Sequence, residues 1–291
     1  MTDDAKTPSI QWFPGHMART RRIMRESMKL VDIVIELRDA RLPMSSANPE
    51  IKKLIGDKPR VVILNKSDMA DLAQTKRWLM YFERQNVLAI AADCNRGKGL
   101  NGLAAIVREA LAPLIERRSA RGIIGRPLRM MAVGIPNVGK SSLINRLAKG
   151  KRAKVEDRPG VTRDMQWVKT KDGFELLDMP GVLWPKFDDL TVAENLAFTG
   201  AIKDDIMDIE ALAARFLARI GKDYAPLLNA RYKLCDEETA NMGGHDLLRL
   251  IGKKRGMLLP GGEINTQRAA ITVLDEFRAG VLGRITLEEP L

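Results

Sequence analysis

The octapeptide Gly134-Ile-Pro-Asn-Val-Gly139-Lys140-Ser141 constrains this chain more than any other feature, because it directly follows the apolar run 128–133 and opens a helix-like stretch at 140–149. It is a GxxxxGK[ST] loop in strand–loop–helix context. In such a loop the backbone N–H groups wrap phosphate oxygens, the lysine reaches the β- and γ-phosphates, and the hydroxyl ligates Mg²⁺. Pro136, Asn137, Val138, Gly139, Lys140, Ser141 and Ser142 are therefore candidate nucleotide-binding residues, with Ser141 as a Mg²⁺ ligand.

The surrounding pattern agrees with that loop. Apolar runs at 31–37, 60–64, 87–90 and 174–177 alternate with helix-like segments at 16–29, 46–56, 71–85 and 100–115, and 165–170 reads as the first arm of a hairpin into 174. Alternation of this kind predicts an α/β fold: a mainly parallel sheet with helices on both faces. The basic stretch 116–127, broken by Gly and Pro, reads as a connection between two halves of that sheet. Beyond Pro185 only helical patterns remain. Thr191-Val-Ala-Glu194 fits a capping box, an apolar helical face from Ile206 to Ile220 ends before Gly221, and a last helix at 265–279 stops at Gly280. The expected division is a nucleotide-binding domain at 1–185 and a small all-α domain at 190–291.

Asn65-Lys66-Ser67-Asp68 closes the run 60–64, where an α/β sheet carries ligand-binding residues. The Asp68 carboxylate can accept from N1–H and the 2-amino group of guanine, while the Lys66 stem packs along the ring. Adenine offers neither donor and would leave the acid unpaired, at a cost of about 1–3 kcal/mol. Together with the P-loop this makes GTP and GDP the expected ligands. Asp178-Met-Pro-Gly181 fits DxxG, with Asp178 a further Mg²⁺ ligand and the Gly181 N–H directed at the γ-phosphate. Thr162, lying between P-loop and DxxG, is the candidate switch threonine for Mg²⁺. Ala91-Ala92-Asp93 matches a base-contacting Ser-Ala-Lys loop poorly, so only a backbone contact at Ala92 is carried over. In the usual GTPase the P-loop comes first; here NKSD precedes it, so the domain is circularly permuted.

The chain has 291 residues and a formal charge of +11, and the excess is uneven: 35 Lys+Arg stand against 22 Asp+Glu up to Leu190, and 13 against 15 beyond. A basic surface of that size fits either a polyanionic partner or a solubilising coat. Arg19, Arg21, Arg22 and Arg25 border the nucleotide-binding domain's opening helix, and Lys253, Lys254 and Arg255 stand out in the otherwise acidic helical part; both clusters are candidate RNA-phosphate contacts. Cys94 and Cys235 lie far apart without CxxC spacing and are expected to be small buried residues, not a disulfide or zinc site. No apolar run reaches the ~18 residues of a membrane span, so a cytoplasmic protein with no membrane partner is expected.

GIPNVGKS, NKSD and DMPG in permuted order, the opening Gln11-Trp-Phe-Pro-Gly-His-Met17 and the closing Leu282-Gly-Arg-Ile-Thr-Leu-Glu288 together resemble the bacterial ribosome biogenesis GTPase A (YlqF/RbgA) family over essentially the whole chain. The resemblance implies a GTPase that binds the immature large ribosomal subunit, with the helical domain contacting rRNA, and activation by K⁺ at Asn137. The permutation adds a mechanism. The residue after DxxG, which orients water in Ras-like enzymes, is here Val182. The N-terminal segment supplies the elements that would normally follow DxxG, so His16 is the candidate catalytic residue, the role the family gives the His of its FPGHM motif. The chain is expected to act as a monomer. Two rivals are a protein-binding signalling GTPase without an RNA role, and an enzyme that uses GTP to phosphorylate a small substrate.

Overall fold

A computed structural model describes residues 22–123, 125–148, 166–179, 189–202, 204 and 207–290. Helix α1 (22–28) leads into β1 (Ile33–Asp39), and then α2 (Pro49–Ile55), β2 (Arg60–Asn65), α3 (Leu72–Arg84) and β3 (Leu88–Ala91) follow. Next come α4 (Leu103–Ala110), α5 (Ala112–Ala120), β4 (Arg129–Val133), α6 (Lys140–Leu147), β5 (Gln166–Lys169) and β6 (Glu175–Asp178). The strands form one sheet in the order β3-β2-β1-β4-β6-β5, with only β5 antiparallel. All seven residues of β1 are buried, as a central parallel strand covered on both faces requires.

Side chains of β1 divide between the faces. Ile33, Ile35 and Leu37 join the main core, with Val107 of α4 and Leu143 of α6. Val34 turns the other way, among Met24 and Met28 of α1, Ile51 and Ile55 of α2, and Trp167. Trp78 and Phe82 of α3 pack on Val62 and Leu64. Each such side chain contributes roughly 1.5–3 kcal/mol by leaving water.

After β6 the elements of the described residues are all helices: α7 (Leu190–Phe198), α8 (Ile209–Asp223), α9 (Ala225–Tyr232), α10 (Asp236–Thr239), α11 (Gly244–Lys254) and α12 (Thr266–Arg278). Phe198, Phe216 and Phe277 form the aromatic centre of this part, with successive ring centroids 5.3 and 4.5 Å apart. Its apolar residues belong to the same continuous core as those of β1 and α6. The closing residues then cross the sheet domain: the Ile285 N–H donates to the Met69 carbonyl and the Leu287 N–H to that of Arg41.

Several local expectations are corrected. The stretch 100–115 is two helices, because α5 restarts at Ala112 with a proline in its first turn. Helix α5 also runs to Ala120, into the stretch expected to be a plain connection. The cap of α7 is Asp189, whose carboxylate accepts from the Thr191 N–H; Thr191 itself lies inside the helix. Gly221 does not end α8, which continues to Asp223 from the Asp208 cap. Cys94 is buried as expected, but Cys235 is exposed.

Candidate functional site

The C-terminal ends of β2, β3, β4 and β6 gather the recognised motifs along one edge of the sheet. The P-loop lies between β4 and α6, NKSD begins on the last residue of β2, Ala92 follows β3, and Asp178 ends β6 paired beside Ala132 of β4. Thus segments permuted in sequence are adjacent in space.

Asn65 ties three of these loops together. Its Nδ2 donates to the Val138 carbonyl of the P-loop at 2.7 Å, and its Oδ1 accepts from the Cys94 N–H at 2.9 Å. Gly139 has φ +100°, and a Cβ there would stand 2.1 Å from Asn65 Nδ2, so only glycine fits both the turn and the close approach. Lys66 adopts the left-handed region (φ +61°), which turns the chain so that the Ser67 N–H donates to the Ala92 carbonyl at 3.1 Å. The Asp68 side chain is about a quarter exposed and has Arg96 Nη1 3.8 Å away. Arg96 lies on a loop closed by the Asp93–Lys98 backbone bridge and anchored when Arg146 Nη2 donates to the Asn95 carbonyl.

At the phosphate end, Lys140 is buried and its Nζ donates to the carbonyls of Gly134 (3.2 Å) and Ile135 (3.0 Å). Burial pushes its ammonium down to about 8, while the Asp178 carboxylate pulls it back up. Burial in turn raises Asp178, and Lys140 opposes that shift. Ser141 is exposed in the first turn of α6 and Ser142 half-buried, while Pro136 is half-buried and Val138 buried. A serine hydroxyl and a carboxylate are hard oxygen donors of the kind Mg²⁺ takes, so Ser141 and Asp178 fit the expected ion. Asn137, also left-handed at φ +58°, donates from Nδ2 to the Gly200 carbonyl beyond α7 at 2.7 Å. Among the described residues no group of three or more His, Cys, Asp or Glu could hold a metal on its own.

His16, Arg19, Arg21, Thr162 and Gly181 lie outside the described residues. Arg22 and Arg25 are exposed on α1, Arg22 within 4.0 Å of Glu26. Lys253, Lys254 and Arg255 are exposed at the end of α11, where Lys254 pairs with Glu238 at 3.1 Å and Arg255 with Glu276 at 3.4 Å. A cavity of about 480 Å³ between α2 and α3, lined by Glu36, Arg38 and Arg60, shares no residue with the motifs. Sequence reasoning missed Asp39 and Arg41 at the end of β1. Their signal was a charged pair closing a strand that is otherwise largely apolar.

Fold and site define a P-loop GTPase whose motifs run in circularly permuted order. The model of a family described as 50S ribosome-binding GTPase matches residues 129–227. Ribosome biogenesis GTPase A of Bacillus cereus is 48% identical over 284 residues, 97% of this chain and 94% of that protein. The same protein of Bacillus pumilus is 46% identical over 284 residues, 97% and 99% of the two chains. This chain belongs to the ribosome biogenesis GTPase A family. Among solved structures, GNP-bound YlqF from T. maritima superposes with a TM-score of 0.66 at 25% identity, covering 94% of this chain and 98% of that one. Among the described residues no helix is long and apolar enough to cross a membrane.

Proposed function

We propose that this GTPase binds GTP with Mg²⁺ along the motif-bearing edge and couples hydrolysis to a late step in assembly of the large ribosomal subunit, in the cytoplasm and as a monomer. The observation that carries the reading is the convergence of NKSD, the Ala92 loop, the P-loop and Asp178 at one sheet edge, held in register by Asn65. Asp68 reads the guanine edge, Lys66 lies along the ring, and the Ala92 backbone meets the base. Residues 136–142 wrap the phosphates, with Lys140 as their cation. Ser141, Thr162 and Asp178 hold Mg²⁺, which neutralises charge on the phosphates when bound, and the Asn137 side chain serves K⁺. The Gly181 N–H meets the γ-phosphate.

His16 positions the attacking water, because Val182 has no group to do so. The RNA-facing residues are Arg19, Arg21, Arg22 and Arg25 of the opening helix with Lys253, Lys254 and Arg255 of α11, which meet rRNA phosphates through charge and shape. Support for the ribosomal partner comes from the relatives' names and from the positive excess in the first two thirds of the chain. Equilibrium binding of GTP and ATP, followed by cosedimentation with large subunits across a salt series, tests it. GTP preference and salt-sensitive subunit binding are expected; equal binding of ATP, or no subunit association, would contradict it.

A further inference from the structure

Asp39 and Arg41 belong to none of the nucleotide motifs, yet both are almost fully buried, Asp39 at 2% exposure and Arg41 at 0%. Arg41 Nε and Nη2 donate to the two Asp39 oxygens at 2.9 and 2.8 Å. Burial alone would raise the Asp39 carboxyl, but Arg41 and Lys66 hold it far below the usual carboxylate range. Desolvating an ion pair costs several kcal/mol per ion, so a buried pair is poor evidence of simple stabilisation. What the pair touches is more informative.

On one side, Asp39 Oδ2 lies 3.0 Å from Lys66 Nζ. On the other, Arg41 Nη1 donates to the Phe277 carbonyl at 3.1 Å, and its guanidinium stacks 4.8 Å over the Phe277 ring at the end of α12. The Arg41 carbonyl accepts from the Leu287 N–H at 2.7 Å. The same closing segment reaches the Lys66 loop again: Ile285 N–H donates to Met69, whose own N–H donates to the Lys66 carbonyl. Glu288 finishes the strap by accepting from the Met44 N–H at 2.6 Å and the Ser45 N–H at 2.8 Å, while its carbonyl accepts from Trp78 Nε1. The loop carrying Lys66 is therefore held from beneath by Asp39 and from outside by residues 285–288.

We propose that Asp39 and Arg41 are positioning residues for guanine recognition: Asp39 holds the Lys66 ammonium so that its stem lies along the base, and Arg41 makes that placement depend on docking of α12 and the closing segment. The proposal rests on Lys66 lying along guanine, as read above. Base and strap fix the same loop, so each lowers the ordering cost of the other, and the coupling must be reciprocal. The seat of the helical region is thereby linked to the nucleotide through buried groups that need not touch the base.

The test uses the full chain with GDP, inosine diphosphate and xanthosine diphosphate as probes, and amide hydrogen exchange at Ile285 and Leu287 as a second readout. GDP is expected to slow exchange of both amides about tenfold in the wild type. Asp39→Asn is expected to weaken GDP and inosine diphosphate equally, about tenfold, because the loss is in stacking rather than in the 2-amino contact, and to abolish the GDP-dependent protection. Glu288→Gln, outside the nucleotide motifs and isosteric, covers the case in which Asp39→Asn does not fold: by reciprocity it is expected to weaken GDP several-fold. The proposal is overturned if GDP leaves both amides unchanged in the wild type, or if Glu288→Gln binds GDP normally. Asp68→Asn separates the underlying reading: if it fails to move preference from GDP to xanthosine diphosphate, the guanine assignment falls and the proposal with it. If preference moves but the strap variant is silent, only the positioning role falls.

Discussion

Lys140 should take up a proton when nucleotide binds at mildly alkaline pH. Its ammonium is buried against two P-loop carbonyls, and burial lowers it from the ordinary 10.5 to about 8. At ~1.4 kcal/mol per unit, charging it in the empty site costs about 3 kcal/mol. Because the folded pKa lies below the unfolded one, the folded protein binds fewer protons between pH 8 and 10.5, and nucleotide-free stability rises with pH across that window. A phosphate chain against Nζ reverses the shift. At pH 8.5 binding should therefore take up about three quarters of a proton, and at pH 7 only about a tenth. Calorimetric titration with GDP in buffers of different ionisation heat measures this directly. Lys140→Met should abolish the uptake. No uptake at pH 8.5 in the wild type, or unchanged uptake in the variant, would show that Lys140 is not the group charged on binding.

Gly139→Ala should lose at least a hundredfold in GDP affinity and about 1–3 kcal/mol of stability, since its Cβ would displace the Asn65 amide and strain a φ of +100°; calorimetric titration and denaturant melts check both. Asp68→Asn should weaken GTP and gain xanthosine triphosphate, because an amide can donate to the C2 carbonyl that replaces the 2-amino group; competition binding reads the exchange. Charge reversal of Arg22 and Arg25 should weaken subunit association and flatten its log–log salt dependence by roughly 0.7–0.9 per lost phosphate contact, measured by cosedimentation.

The motifs were legible because each is local. A P-loop or an NKxD declares its chemistry within eight residues, and the apolar runs between them fixed the strands to within two residues. The junctions were not. Thr191 resembles an N-cap until Asp189 is seen taking its N–H, and Gly221 resembles a stop although the apolar face of α8 carries the helix past it. What joins distant segments left almost no mark: the second hydrogen bond of Asn65, the Arg146 anchor of the base-side loop, and the path from Lys66 through Asp39 and Arg41 to Phe277, which spans more than two hundred residues. Arg146 also shows the limit of charge counting, because its guanidinium holds a protein carbonyl.

Hydrolysis of GTP by wild type and His16→Ala, each with and without large ribosomal subunits, tests whether the large subunit completes the proposed GTPase switch. Subunits should stimulate the wild type strongly. The variant, binding GTP and subunits normally, should lose about a hundredfold or more of that stimulated rate, the scale of a lost water-positioning group. Hydrolysis that subunits leave unchanged would contradict a switch completed by the subunit.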